Sequence, residues 1–171
     1  MKELIIGCLL FSTLGVGAQV DSTALKSIEG ITDKMLELIS GEVGEARDWD
    51  SFRTLFTPTA QMVFLNPGAP KGKQIRSIGI SEFIRNVGPL YARDGFEEYK
   101  IGLTINEFNG IANVFQSFYC KNLKGTYEEK GINSYQLVFA DDRWWIANTT
   151  FTNETFAEKI PEEYLFSSGR E

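Results

Sequence analysis

The chain contains no histidine. Without imidazole there can be no Ser-His or Cys-His nucleophile, and a catalytic zinc would have to rely on scattered carboxylates and a thiol. Any general base must therefore be Asp, Glu, Tyr or Lys. Cysteine is almost as scarce. Of the two, Cys8 lies in the opening apolar segment and Cys120 stands alone in the remainder, so no internal disulfide can staple the domain and stability must come from packing. Positive charge is in deficit, with 17 Lys and Arg against 23 Asp and Glu and a net charge of −6. That balance makes nucleic acid a poor partner. Long apolar runs are also missing: no segment approaches the roughly 20 residues that a membrane-spanning helix needs.

What is present begins with Met1-Lys2-Glu3, an apolar run from Leu4 to Val16, and the small residues Gly17-Ala18 ahead of Gln19. This pattern reads as an export signal over residues 1–18, giving a periplasmic or secreted protein with no membrane attachment after cleavage. A lipoprotein reading at Cys8 would leave most of the apolar run on the product. Residues 19–171 are then one domain, large enough to bury a proper core. Its net charge is unchanged, because the signal carries one lysine and one glutamate.

Leu25, Ile28, Ile31, Met35, Leu36 and Ile39 recur at helical spacing after Asp21-Ser22, a suitable N-cap pair. Gly41 and Gly44 end that helix. Asp48 can cap a shorter one carrying Trp49, Phe52 and Phe56 on one face, stopped by Thr57-Pro58. Ala60 to Leu65 reads as a strand, and the Gly-, Pro- and Lys-rich stretch from Pro67 to Gly79 as a loop. A third helix starts near Ser81, shortened or kinked at Gly88-Pro89. Tyr99, Ile101, Leu103 and Ile105 alternate with polar residues as in a half-buried strand, and Asn109-Gly110 supplies a tight turn into Ile111 to Cys120. A polar loop over residues 121–130 leads to a closing hairpin, in which Phe139 opposes Trp144 across Asp141-Asp142. A short turn around Pro161 to Leu165 follows.

The closing hairpin, from Gly131 to Glu154, together with Gly110-Ile111-Ala112, resembles the late strands of nuclear transport factor 2-like (SnoaL-like) proteins. Those patterns are most similar to an exported bacterial subgroup of that superfamily. The resemblance implies an α+β, cone-shaped fold with three N-terminal helices packed in a strongly bent antiparallel sheet. It also implies a pocket between helices and sheet, and homodimerisation through the outer sheet face. It does not imply one chemistry, since the superfamily holds isomerases, dehydratases, hydrolases and non-catalytic modules. The His-Asp dyads of its scytalone dehydratase-like branch are impossible here. In its ketosteroid isomerase-like members the base is an aspartate near the end of the first strand, and Gln61 to Asn66 contains no carboxylate.

Alternation along the closing hairpin groups Ser134, Gln136, Trp145, Thr149 and Phe151 on one face and Asn133, Tyr135, Trp144, Ile146 and Asn148 on the other. The resemblance favours Ser134 and Gln136 as pocket polar groups, with Tyr119, Asn113, Trp145 and Phe151 as further ligand-binding candidates. Cross-strand hydrogen bonding or dimer contacts are the alternative role for the polar ones. Glu154, at the exit of the last strand, is the candidate catalytic carboxylate, with a solvated or helix-pairing role as its alternative. Cys120 reads as a buried thiol. No metal or cofactor is expected. Three functions remain open: an exported module binding a small, largely apolar molecule in the cone, which is preferred; a cofactor-free lyase, isomerase or hydrolase using one carboxylate; and a dimeric interaction domain with a vestigial pocket.

Overall fold

The computed structural model describes residues 22–66, 69–155 and 157–168. The expected export signal over residues 1–18, with Cys8, and the cap residue Asp21 lie outside the described residues. The elements are α1 (Ile28–Ile39), α2 (Trp49–Arg53), β1 (Phe56–Leu65), β2 (Ile75–Gly79), α3 (Ile80–Asp94), β3 (Glu97–Phe108), β4 (Ile111–Lys121), β5 (Glu128–Ala140), β6 (Arg143–Asn153) and β7 (Ser167–Ser168), with short 3-10 turns at Ala24–Lys26 and Glu162–Tyr164.

Ser27 caps α1, its hydroxyl accepting from the Gly30 amide at 3.0 Å, so the helix starts later than Asp21-Ser22 suggests. Ile28, Ile31, Met35, Leu36 and Ile39 are all buried along it, the inward stripe expected of an amphipathic helix. Asp48 does cap α2, accepting from Ser51 N at 2.9 Å. That helix stops at Arg53, and Phe56 already belongs to β1. Phe52 is fully buried and sits between Phe56 and Phe83, with ring centroids 5.0 and 5.8 Å away.

Two readings of loops and breaks need correction. The stretch read as a loop contains β2, an edge strand whose only buried residue is Ile78; with Ile75, Arg76 and Ser77 all exposed it leaves no alternation to see. Helix α3 continues through Gly88-Pro89 to Asp94. Pro89 is exposed, so the carbonyl that loses its helical donor can turn to water, while Gly88 lies where a side chain would press on the Trp49 indole, 3.3 Å from its Nε1.

The strand order is β2-β1-β6-β5-β4-β3-β7. The expectation of a purely antiparallel sheet fails, because β1 runs parallel to β6 and β7 parallel to β3. The chain reaches β6 from β1 through the whole of the sheet, and a return that long imposes no antiparallel turn. Nor do three helices precede the sheet: β1 and β2 come before α3. Both tight turns are where the sequence places them. Asn109 and Gly110 have φ of 45° and 82°, Asp141 and Asp142 of 51° and 63°, the double positive φ of type I′ hairpins. Phe139 pairs with Trp144.

Two bulges shape the curved sheet. In β3 the register jumps between Lys100 and Gly102, leaving Ile101 unpaired, and in β6 it jumps across Ala147 between Ile146 and Asn148. Each bends its strand and reverses which residues face inward beyond it. The C-terminal segment crosses the outer face of β3 and β4, where the Ser117 hydroxyl donates to the Tyr164 carbonyl and the Tyr164 ring meets Phe115 at 5.2 Å.

Candidate functional site

The inward faces of the sheet and the two longer helices enclose a cavity of about 90 Å³. Met35 and Ile39 of α1 and Met62 of β1 form its apolar floor, and the rings of Phe83, Phe118 and Phe151 its walls. Tyr91 and Phe96 stack on each other with centroids 4.1 Å apart. Into this apolar lining β3 brings Glu98, whose carboxylate accepts from Asn133 Nδ2 at 2.8 Å. The Glu98 backbone is itself fixed, its amide donating to Ser40 Oγ at 3.0 Å just beyond α1.

Burial pushes the Glu98 carboxyl up to about 7, against the opposing pull of the Asn133 hydrogen bond. A carboxyl titrating there can serve as hydrogen-bond donor, acceptor or proton relay at neutral pH. Its neighbours are shifted too. Burial, aided by the Glu98 charge, raises Tyr91 and takes the Cys120 thiol up to about 12, which leaves that thiol protonated and unreactive. At the rim, Tyr127 donates to Glu129 Oε2 at 3.0 Å and Asn153 Nδ2 donates to the same oxygen. Deeper in the cone, Tyr135 donates to Gln116 Oε1 at 3.1 Å and Gln116 Nε2 to Asp33 at 3.3 Å, and Asp33 pairs with Lys100 at 2.7 Å.

The sequence candidates are dispersed around this cavity and few of them enter it. Ser134 and Gln136 face outward, because the alternate residues Asn133, Tyr135 and Leu137 carry the buried side of β5. Gln136 pairs with Asn113, which is likewise exposed on the outer face, and Ser134 pairs with Phe115. Tyr119 also points outward, its hydroxyl donating to Glu128 at 2.9 Å. Trp145 lies on the outer side, under Arg143 at 3.8 Å from its ring centroid. Phe151 alone of these lines the cavity, since the Ala147 bulge puts Thr149 and Phe151 on the same side as Asn133 and Tyr135 rather than with Ser134 and Gln136.

Glu154 does not line this cavity; with Tyr119 it borders a separate, open surface concavity of about 380 Å³. Its carboxylate accepts from the Ile160 amide at 3.0 Å and from Lys159 Nζ at 3.2 Å, closing a surface turn. The Ile160 amide, with Lys159, holds its carboxyl below the ordinary range, the opposite of what a general base in an apolar pocket requires. Sequence reasoning missed Glu98. The signal for it is an acid beside Tyr99 in a strand of apparent period 2, where alternation alone places Glu98 on the solvent side because the Ile101 bulge is silent in the sequence.

A larger concavity, about 670 Å³, lies outside the cone between Arg53, Pro58, Ile80 and Trp145. It exists because Thr57 to Ala60 arch away where β1 passes from Ile146 to Asn148 of its partner. Its charged residues, Arg53 and Asp141, are solvent-exposed, so it concentrates no buried chemistry.

The sequence matches no protein-family profile and no curated protein. The fold does match solved structures. A protein of unknown function with a cystatin-like fold from Nostoc punctiforme is 10% identical, with a TM-score of 0.55 over 74% of this chain and 87% of that one. A nuclear transport factor 2-like protein of unknown function from Shewanella baltica is 9% identical, with a TM-score of 0.50 over 73% and 92%. A type 2 hexachlorocyclohexane dehydrochlorinase is 12% identical, with a TM-score of 0.51 over 77% and 89%. At such identities the likeness speaks of architecture and not of chemistry. The curved sheet wrapped on its helices is the α+β, cystatin-like fold that these solved structures share.

Proposed function

We propose that the protein is an exported small-molecule-binding protein whose ligand enters the open end of the cone and is fixed at Glu98 and Asn133. The observation carrying this reading is a hydrogen-bonded carboxyl and amide, 2.8 Å apart, set in an otherwise aromatic and aliphatic cavity. A few convergent polar groups within apolar walls are the usual make-up of a ligand site. The volume of about 90 Å³ suits a molecule of only a handful of heavy atoms, since an apolar cavity of roughly 150 Å³ admits benzene.

The test is where small probes bind. Titrating cyclopentanone and tert-butanol into isotopically labelled protein should move the NMR resonances of Glu98, Asn133 and Phe151. Shifts confined to Trp145 and Pro58, or none anywhere, refute the reading.

Catalysis is the second reading, supported by the carboxyl titrating near 7: such a group can take and return a proton at neutral pH, as a cofactor-free isomerase or lyase requires. Homodimerisation through the outer sheet face belongs to the same proposal. Phe108 and Ile111, paired on that face, are 77% and 57% exposed, an apolar pair that a partner's sheet face would cover. Light scattering on the mature protein should give twice the chain mass, and mass spectrometry of protein expressed with its first 18 residues should find a chain beginning at Gln19.

A further inference from the structure

We propose that the cone cavity takes a small organic ammonium ion, with Glu98 as its counter-ion. This rests on the reading of the cavity as a ligand site and goes beyond it by fixing the charge of the ligand.

The argument is one of complementarity. The polar groups lining the cavity are the Glu98 carboxyl, the amides of Asn133 and Asn153, the phenols of Tyr91 and Tyr127, and the Cys120 thiol. Glu129 stands directly behind Asn153 and Tyr127. Among the described residues no lysine or arginine lines it. The nearby cations are committed elsewhere. Lys100, the next inward residue of β3, is paired to Asp33 at 2.7 Å, and Lys121 to Glu97 at 3.2 Å. Arg47, behind Tyr91, spends its guanidinium on the backbone carbonyls of residues 39, 41, 42, 45 and 91.

Glu98 is thus a carboxyl in a low-dielectric site whose hydrogen-bond partner is a neutral amide, and its ionised form has no counter-charge of the protein's own. Such a charge is costly unless paired. The surrounding walls supply the second half of an ammonium site. Aromatic faces attract cations through their ring quadrupoles, and the stacked Tyr91 and Phe96 with Phe118, Tyr127 and Phe151 line the same cavity as the carboxyl. An anionic ligand would be repelled by the Glu98 carboxylate, with Glu129 behind the Tyr127 and Asn153 side chains adding charge of the same sign. A neutral ligand would use the rings and leave the carboxylate unpaired.

The groups facing Glu98 from the packed elements are Tyr91 of α3, Cys120 of β4, Tyr127 of the β4–β5 connection, Asn133 and Tyr135 of β5 and Asn153 of β6, with only apolar side chains from α1. Burial raises the phenols and the thiol above their ordinary values, so Glu98 is the group that changes charge between pH 5.5 and pH 8.

The experiment compares tert-butylammonium chloride with its near-isosteric neutral counterpart tert-butanol, by calorimetric or NMR titration of the mature protein at pH 5.5 and pH 8. The ammonium probe should bind tightest at pH 8 and weaken roughly tenfold for each pH unit below the Glu98 midpoint, because binding then requires loss of the carboxyl proton. The alcohol should bind more weakly at pH 8 and gain no affinity with rising pH. Glu98→Gln should abolish the pH dependence for the ammonium and lower its affinity at pH 8 by at least about tenfold. Alcohol binding equal to or tighter than ammonium at pH 8, or ammonium affinity indifferent to Glu98→Gln, overturns the proposal while leaving the cavity as a ligand site. Failure of both probes to shift Glu98 and Phe151 removes the ligand-site reading, and the proposal with it.

Discussion

Replacing Glu98 by glutamine should make the protein more stable at alkaline pH and leave it unchanged in acid. The carboxyl sits at about 7 in the folded protein against an ordinary 4.5. At roughly 1.4 kcal/mol per tenfold change in proton affinity, ionising Glu98 in the folded state costs about 3 kcal/mol more than in the unfolded chain. Below pH 4.5 both states are protonated and nothing is lost. Between 4.5 and 7 the unfolded chain ionises first, so stability falls as pH rises, and above 7 the whole penalty is in force. Glutamine copies the protonated acid, keeping an oxygen that accepts from Asn133 without carrying a charge. The variant should therefore match the wild type near pH 4 and exceed it by about 3 kcal/mol at pH 8, which for a domain of this size is roughly 6 to 12 °C in Tm. Urea unfolding followed by tryptophan fluorescence across that range reads the difference directly. A stability gap that does not change with pH would mean that Glu98 is solvated and that its cavity is not a low-dielectric site.

Further perturbations test other parts of the structure. Arg47 is 8% exposed and donates to five backbone carbonyls between 2.6 and 3.4 Å; Arg47→Met should destabilise by about 3 to 5 kcal/mol by leaving buried carbonyls unpaired, and Arg47→Lys should rescue little of it because one ammonium cannot span that fork. A loss under 1 kcal/mol in urea unfolding would refute this. At Gly102 a Cβ would lie 2.3 Å from the Tyr164 carbonyl oxygen, so Gly102→Ala should lift the C-terminal segment off the sheet at a cost of about 1 to 3 kcal/mol, seen as faster proteolysis after Glu154 with the core intact. Asp142 holds φ at 63°, and Asp142→Gly should stabilise the closing hairpin by up to about 1 kcal/mol by removing a side-chain penalty in the left-handed region.

Much of the architecture is legible in the sequence because it is written in local chemistry. The stripe from Leu25 to Ile39 is buried as its spacing requires, Asp48 caps the helix that follows it, and Asn109-Gly110 and Asp141-Asp142 make turns whose positive φ those residue types tolerate. The elements missed are those in which local chemistry is overruled by position. In β2, Ile75 is 71% exposed, so an edge strand carries the composition of a loop. Pro89 sits inside α3 because its ring is on the solvent side, and nothing local distinguishes that helix from one that ends there.

The site was hidden for a more specific reason. Side-chain direction in a strand has a period of two, so a single unpaired residue inverts every assignment beyond it. In β3, an unbroken alternation from Leu103 back to Tyr99 makes Tyr99 inward and Glu98 solvated. With Ile101 left out of the ladder, Leu103 remains buried but Lys100 and Glu98 turn to the core side and Tyr99 is 48% exposed. In β6, the same arithmetic across Ala147 moves Thr149 and Phe151 from the face of Trp145 to the face of Trp144. Both bulges bend their strands, and both deliver to the cavity a residue that uninterrupted pairing would have left outside. The curvature that makes a cavity and the inversion that furnishes it with Glu98 and Phe151 are thus one structural event in each strand, and a substitution that restored continuous pairing at Ile101 would take away the carboxyl along with the bend.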